Sequence, residues 1–286
     1  MNRRLEFGDF DSQFTNPDNA KIIILPVPYD ETSTWIKGAD KGPEAILKAS
    51  YNLEFYDILT DSEIFTHGIA TDSPVQGHKK PESMIDEVRR RMVGYFQKGR
   101  FPVLLGGEHS VSIGAFQAAA QAYDNLTILQ LDAHADTRQE YEGSIYNHAC
   151  VMARAGELCP IVQAGIRSMD SSEKAGQDAS RVVFAHQINA DPHRTWIDKI
   201  LSLLTEHVYL TIDLDVFDPS IMPATGTPEP GGAGWYDIIA LIQQVCRRHT
   251  LIGMDVVELC PRETLWACDF LAAKLIYQTL SFRFTA

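Results

Sequence analysis

Short apolar runs alternate with amphipathic stretches along most of the chain. Strands are predicted where apolar and β-branched residues cluster between turn residues, at 21–25, 103–105, 126–131, 160–164, 181–185, 208–212 and 251–256. Helical spacing of apolar residues predicts helices at 81–99, 110–122, 195–204, 235–248 and 264–280, and another that begins near Pro43. Residues 55–75 give no clear signal. The alternation of strands and helices predicts an α/β protein with a parallel sheet covered on both faces.

Polar residues follow four of these predicted strands. His109, Asp132, Asp213 and Glu258 each come directly after an apolar run. In parallel sheets the ligand site lies beyond the carboxyl ends of the strands, so we expect these side chains to meet at one edge. The chain shows no linker, internal repeat or low-complexity segment, which predicts one domain over residues 1–286.

Composition narrows the class of protein and its partners. The 286 residues carry a formal net charge of -13, which disfavours a nucleic-acid partner and is compatible with a small cationic substrate. No run approaches the length of a membrane span, and the amino terminus lacks the apolar segment of a secretion signal. Five scattered cysteines without a Cys-x-x-Cys pair predict neither a disulfide framework nor a zinc finger. We therefore expect a soluble protein in the reducing cytoplasm, with no membrane partner.

Three motifs carry the candidate chemistry. Their sequences are GGEHS at 106–110, DAHAD at 132–136 and DLD at 213–215. Alternate residues of an extended segment point to one side, so Asp132, His134 and Asp136 can face a common point, as can Asp213 and Asp215. Carboxylates crowded in this way repel one another unless a cation balances them. Alone, each motif is also compatible with an ordinary turn, and Ser110 could simply cap the helix that follows.

The donor set restricts the metal. Together with His109 the motifs offer four carboxylates and two imidazoles, which is too acidic for a structural zinc site and too rich in nitrogen for a calcium loop. Mixed carboxylate and imidazole ligands suit Mn²⁺, with Fe, Co, Ni or Zn as competitors. Six ligands fit two ions better than one. Two neighbouring ions can hold a bridging hydroxide, which is a nucleophile at neutral pH.

The three motifs, in this order, resemble the metal-binding signatures of the ureohydrolases, the family of arginase and agmatinase. The resemblance extends from GADKGP at 38–43 to DVVE at 255–258. It implies a three-layer α/β/α sandwich with a mainly parallel sheet, assembled as a trimer or hexamer. It also implies two Mn²⁺ ions per chain. The first ion would be held by His109, Asp132, Asp136 and Asp213, and the second by His134, Asp132, Asp213 and Asp215. Asp136 would also accept a hydrogen bond from the bridging hydroxide.

The same resemblance suggests the residues that handle the substrate. Glu258 matches the family's guanidinium-binding glutamate, and a carboxylate suits the planar donors of that group. His148 resembles a histidine that passes a proton to the leaving amine, and Thr227 resembles an active-site threonine. Each also has an ordinary alternative, as a strand-end, surface-loop or turn residue. Arg167 matches a family segment but is expected to serve the structure or an interface.

Two features suggest which guanidino compound is used. Glu108 stands where arginases usually carry aspartate, and residues 137–147 lack arginase's Asn- and Ser/Thr-rich pattern while carrying Glu140 and Glu142. Both resemble agmatinases, so we predict hydrolysis of agmatine to putrescine and urea. Alternatives are N1-aminopropylagmatine, guanidinobutyrate, guanidinopropionate and arginine; Arg138 could favour the carboxylate-bearing ones. Amide hydrolysis of the deacetylase type uses one zinc and different spacing, and an inactive metal-binding interaction protein is a further alternative.

Overall fold

Eight parallel strands form one sheet at the centre of the structure, a computed structural model that describes residues 5–286. In chain order the strands are β1 (Ile22–Val27), β2 (Ile69–Thr71), β3 (Phe101–Gly106), β4 (Leu126–Leu131), β5 (Ile161–Ile166), β6 (Val182–Phe184), β7 (His207–Asp213) and β8 (Thr250–Val257). Their spatial order is β2-β1-β3-β8-β7-β4-β5-β6. The predicted parallel sheet is confirmed; β2 lies in the region that gave no signal.

Helices cover both faces of the sheet. They are α1 (Ser12–Thr15), α2 (Gly42–Ser50), α3 (Pro81–Gln97), α4 (Ser112–Ala122), α5 (Val151–Gly156), α6 (Ser171–Lys174), α7 (Ala185–Ala190), α8 (Thr195–Leu203), α9 (Trp235–Arg248) and α10 (Trp266–Thr285). One buried core joins the sheet to α2, α8, α9 and α10, and a second joins it to α3, α4 and α5. Burying the apolar stripe of each helix against the sheet supplies most of the driving force. The predicted α/β/α sandwich is confirmed.

The start of α4 differs from the prediction. A 3-10 turn at His109–Val111 precedes the helix, which begins at Ser112 and not at 110. Ser110 does not cap the helix. Glu108 caps the turn instead, because its carboxylate accepts hydrogen bonds from the Ser110 N–H at 3.0 Å and the Ser110 hydroxyl at 2.8 Å. Sequence patterns also missed the short helices α1, α5, α6 and α7 and placed the end of α10 too early.

The four strands that were expected to deliver polar groups are neighbours in the middle of the sheet. They are β3, β8, β7 and β4, and all point the same way. Gly107 lets the β3 loop pass close to its neighbour, since a Cβ there would lie 1.9 Å from the Tyr29 carbonyl oxygen. The carboxyl ends of the four strands therefore open onto one common site.

No helix within residues 5–286 is long and apolar enough to cross a membrane. The expectation that the chain begins without a secretion signal rests partly on residues 1–4, which lie outside the described residues.

Candidate active site

His109 stands at the centre of a buried group of carboxylates. Its Nδ1 lies 3.2 Å from Asp132 Oδ2, 3.1 Å from Asp136 Oδ2 and 3.7 Å from Asp213 Oδ2. All four side chains are buried. The ligand atoms of His109, Asp132 and Asp213 lie within 4.8 Å of one another, as the atoms around a single metal ion do.

A second group adjoins the first through Asp132. His134 Nδ1 lies 2.8 Å from Asp215 Oδ2 and 3.8 Å from Asp132 Oδ1. The ligand atoms of these three residues also lie within 4.8 Å of one another. All six residues predicted as metal ligands thus lie in one place. Asp132 belongs to both groups, whereas Asp213, which was also predicted to bridge, belongs only to the first.

The hydrogen bond at Nε2 of His109 fixes the role of each ring nitrogen. The Thr211 hydroxyl donates its single proton to Asp255 Oδ1 at 2.6 Å, so it accepts from His109 Nε2 at 2.9 Å. Nδ1 has no hydrogen-bond donor beside it and faces the carboxylate oxygens of Asp132 and Asp136. Lone pairs that face one another at this distance require a proton or a metal cation between them.

The charges of the cluster lead to the same requirement. Burial, followed by the nearby charges of Asp215 and Asp136, raises the pKa of Asp132 to about 7. Burial and the charges of Asp215 and Asp132 raise the pKa of Asp213 well above its usual value. Burial opposes protonation of His109, but the neighbouring carboxylates of Asp132 and Asp136 prevail and raise its pKa. Either protons or metal cations must balance these carboxylates.

The path of the backbone differs from the predicted extended segment. Asp136 adopts a left-handed conformation, with φ of 54°, so residues 132–136 do not alternate as a strand does. Asp215 lies in a 3-10 turn at Leu214–Val216, and its N–H donates to Asp213 Oδ1 at 2.9 Å. The side chains therefore converge through tight turns, and the reason given by strand alternation was wrong.

A cavity of about 330 Å³ opens above the cluster. It collects the predicted substrate residues His148, Thr227 and Glu258 together with three of the predicted ligands. Its lining residues are Ser33, Thr34, Trp35, Ile36, His134, Ala135, Asp136, Arg138, Tyr141, His148, Ala149, Ser168, Met169, Asp170, Glu173, Asp213, Gly226, Thr227 and Glu258. A larger groove of about 960 Å³ lies between α2 and α10, away from these groups. We place the chemistry in the smaller cavity because it contains the reactive side chains.

Glu258 lies at the end of β8 in a strained conformation, with φ of 65°. Its Oε1 accepts a hydrogen bond from the His109 N–H at 2.8 Å, which ties it to the metal ligands. Burial, then the charge of Glu108, raises its pKa well above the usual value. Gly226 lies beside it, since a Cβ there would come within 3.8 Å of Glu258 Oε2 and 3.2 Å of the Ile36 carbonyl oxygen. A bound cation would relieve the cost of this buried carboxylate.

Thr32, which no sequence pattern singled out, positions His148. The Thr32 hydroxyl lies 3.1 Å from His148 Nδ1 and also accepts from the His148 N–H at 3.1 Å. The ring of Tyr141 meets the imidazole at 89°, with centroids 6.0 Å apart. Because Nδ1 is engaged, Nε2 is the nitrogen that remains to exchange a proton.

Arg167 has a structural role. Its guanidinium donates to the carbonyl oxygens of Asp215 at 2.6 Å and Glu229 at 2.8 Å, with longer contacts to three further carbonyls. These bonds hold the turn that carries Asp215, and they leave no free fork for a substrate.

Comparison with known proteins places this site in a family. The family model described as "Arginase family" matches residues 20–281. The chain belongs to the arginase family. It is therefore a metal-dependent hydrolase of linear amidines, of the agmatinase type.

Curated relatives and a solved structure cover nearly the whole chain. An N(1)-aminopropylagmatine ureohydrolase of Synechocystis is 36% identical over 279 residues, which span 94% of this chain and 90% of the relative. An agmatinase of Pyrococcus horikoshii is 32% identical and covers 96% of each chain. The agmatine ureohydrolase of Thermoplasma volcanium superposes with a TM-score of 0.89 at 30% identity, covering 99% of this chain and 95% of that one.

The arginase-family site fits two divalent cations. Two neighbouring ions need buried carboxylates, a nitrogen that is free to coordinate and a ligand shared between them. The carboxylate cluster, His109 Nδ1 and Asp132 meet these needs. Ions held there would polarise a bound amidine and supply an activated water at neutral pH.

Sequence analysis missed the residues that hold the ligands in place. Gln130 Nε2 donates to Asp132 Oδ2 at 2.7 Å, and Gln163 Nε2 donates to Gln130 Oε1 at 2.6 Å. Thr211 and Asp255 perform the same task for His109. One signal could have found all four. Each is a buried polar residue within a largely apolar strand, a placement that requires a hydrogen-bonding partner.

Replacing Thr211 with valine should weaken metal binding while the fold remains. Valine has the shape of threonine but cannot accept from His109 Nε2, so the ring loses its fixed orientation. We expect metal affinity to fall by roughly 10- to 100-fold, measured by titration of the metal-free protein. Thr66→Val, at an exposed hydroxyl far from the site, is the control. Unchanged metal affinity in Thr211→Val would contradict this role.

Proposed function

We propose that this chain is a two-manganese ureohydrolase whose preferred substrate is N1-aminopropylagmatine, with agmatine as a poorer substrate. The sequence motifs favoured agmatine, but the Synechocystis relative, the most identical of those given above, is named for the longer compound and supports it. The observation that carries the proposal is the charge of the cavity. Five carboxylates line it, and its one arginine is already paired.

Arg138 decides between cationic and anionic substrates. Its Nε lies 3.7 Å from Glu173 Oε2, and its guanidinium stacks on the Tyr141 ring at 4.4 Å from the centroid. A paired and stacked arginine is a poor partner for a substrate carboxylate. This disfavours guanidinobutyrate, guanidinopropionate and arginine. Asp170 lines the same cavity and is exposed, so it can meet a substrate ammonium.

The residues of the chain have distinct tasks in the proposed reaction. Glu258 binds the guanidinium through its carboxylate and orients the carbon toward the metal ligands. Water adds to that carbon, the bond to the substituted nitrogen breaks, and the departing amine takes up a proton. His148, held through Nδ1 by Thr32, delivers the proton from Nε2. Thr227 lies in the cavity wall and contributes a hydroxyl to the bound substrate. The products are urea and spermidine, or urea and putrescine from agmatine.

A urea-release screen tests the proposed function. The Mn²⁺-loaded protein should hydrolyse N1-aminopropylagmatine with a kcat/KM at least about 10-fold above that for agmatine. Arginine and guanidinobutyrate should be roughly 100-fold worse or more, because their carboxylates meet carboxylates. A chelated sample should be inactive and should recover with Mn²⁺. Fastest hydrolysis of a carboxylate-bearing guanidine would overturn the proposal, and bound metal without turnover of any guanidine would favour the inactive interaction protein.

We also propose a cytoplasmic homo-oligomer, a trimer or hexamer, as the family resemblance implies. The single chain exposes large apolar side chains, notably Ile58, Leu59 and Trp266. Contact between copies of the chain would bury such side chains, which supports an oligomer. Light scattering of the purified protein measures its mass directly, and a monomer would contradict this proposal.

A further inference from the structure

Trp35 places an uncovered indole at the rim of the active-site cavity. Its side chain lines the cavity and is 69% exposed. Among residues 5–286 no aromatic ring stacks on it, whereas Tyr141 across the cavity already carries Arg138 on its face. An exposed tryptophan has a large apolar surface, and one placed at a substrate cavity can be covered by the substrate itself.

The loop that carries Trp35 is fixed at both ends. Asp30 Oδ2 accepts from the Gly38 N–H at 2.7 Å and the Ala39 N–H at 3.1 Å, which closes the base of the loop. Lys37 Nζ donates to the Asp30 carbonyl oxygen at 3.2 Å, and Thr32 is tied to His148. The backbone of this loop is therefore anchored at both ends before any substrate arrives, so little backbone entropy is lost on binding.

An exposed carboxylate shares this rim. Asp170 lines the cavity and is exposed, and it also caps α6, because its Oδ1 accepts from the Ser172 N–H at 2.9 Å. The other acidic residue here, Glu173, is occupied by Arg138 and by the Thr137 N–H at 2.8 Å. An unstacked aromatic ring and an exposed carboxylate together suit an alkyl chain that carries ammonium groups.

We propose that Trp35 is a specificity-determining residue that selects the longer polyamine guanidine. Its indole covers the aminopropyl arm and the secondary ammonium of N1-aminopropylagmatine, and Asp170 pairs with the terminal ammonium. Agmatine lacks this arm and ends where the arm begins. The inference rests on the proposed function and goes further, because it assigns recognition of the end of the substrate far from the guanidinium to one ring and one carboxylate.

Kinetics on the two substrates test the assignment. Trp35→Ala should lower kcat/KM for N1-aminopropylagmatine by about 10- to 100-fold, mainly through KM, with a much smaller loss for agmatine. Trp35→Phe should retain more than Trp35→Ala. Asp170→Asn keeps the helix cap but removes the charge. It should reduce the preference for N1-aminopropylagmatine over agmatine, as the ratio of their kcat/KM values, by about 5-fold or more. Tyr236→Ala, at a tyrosine that is 70% exposed and outside the cavity, is the control.

Equal losses on both substrates in Trp35→Ala, or no loss on either, would overturn the assignment. Product binding separates this inference from the proposed function, since it needs no turnover. Spermidine should bind the Mn²⁺-loaded protein at least about 10-fold more tightly than putrescine in calorimetry, and Trp35→Ala should remove most of that difference. If the wild-type protein hydrolyses other guanidines faster, the proposed function fails, yet this difference still decides the role of Trp35. Equal binding of the two amines by the wild-type protein would refute it.

Discussion

Replacing Asp213 with alanine is expected to abolish metal loading and to lower kcat/KM for urea release by at least about 1,000-fold. Asp213 ends β7 and faces His109, with 3.7 Å between its Oδ2 and Nδ1. Without Asp213, the group around His109 loses its carboxylate from β7. The family resemblance assigns this carboxylate to both ions, so its loss should weaken the binding of each. Metal content by mass spectrometry should fall well below two ions per chain.

Thermal unfolding gives a second measurement of the same change. Metal ions that bind only the folded state raise the melting temperature, so the wild-type protein should gain stability on Mn²⁺ addition. Asp213→Ala should lose most of that gain. Asp198→Asn, at an exposed surface carboxylate paired with Arg248, should behave as the wild type in both assays. Full activity with two ions bound in Asp213→Ala would sink the proposed metal site.

Replacing Glu258 with glutamine should leave the metal ions bound and still remove most of the activity. Glutamine can accept the hydrogen bond from the His109 N–H, now 2.8 Å from Oε1, so the turn after β8 keeps its anchor. It cannot offer a charged, two-oxygen partner to a guanidinium. We expect kcat/KM to fall by roughly 100- to 1,000-fold, as for loss of a key charged contact.

Metal content and kcat/KM must both be measured on the Glu258→Gln protein. Two ions per chain with low turnover would assign Glu258 to the substrate, whereas loss of metal would assign it to the site's architecture. Glu206→Gln, at an exposed glutamate beside the start of β7, is the matched control. Wild-type kcat/KM in Glu258→Gln would show that the guanidinium is bound elsewhere.

Local patterns located seven of the eight strands and picked out the candidate ligand set. A buried parallel strand needs a short run of apolar residues, and this requirement is visible without any knowledge of neighbours, as at Leu126–Leu131 and Ile22–Val27. The ligands come directly after such runs, so their types and spacing are visible too. Strand β2 was missed because only three residues form it, too few for a periodic signal.

The tertiary structure decided how the side chains meet. Asp136 turns toward His109 through a left-handed backbone, and Thr32 holds His148 from 116 residues away. Gln163 supports Asp132 through Gln130 because β5 pairs with β4. The sequence by itself determined the sheet, the six candidate ligands and the family they resemble, since each depends on neighbouring residues in the chain. Loop paths, buried hydrogen bonds and the position of Trp35 at the cavity rim depend on which distant segments pack together. Only the folded chain specifies that.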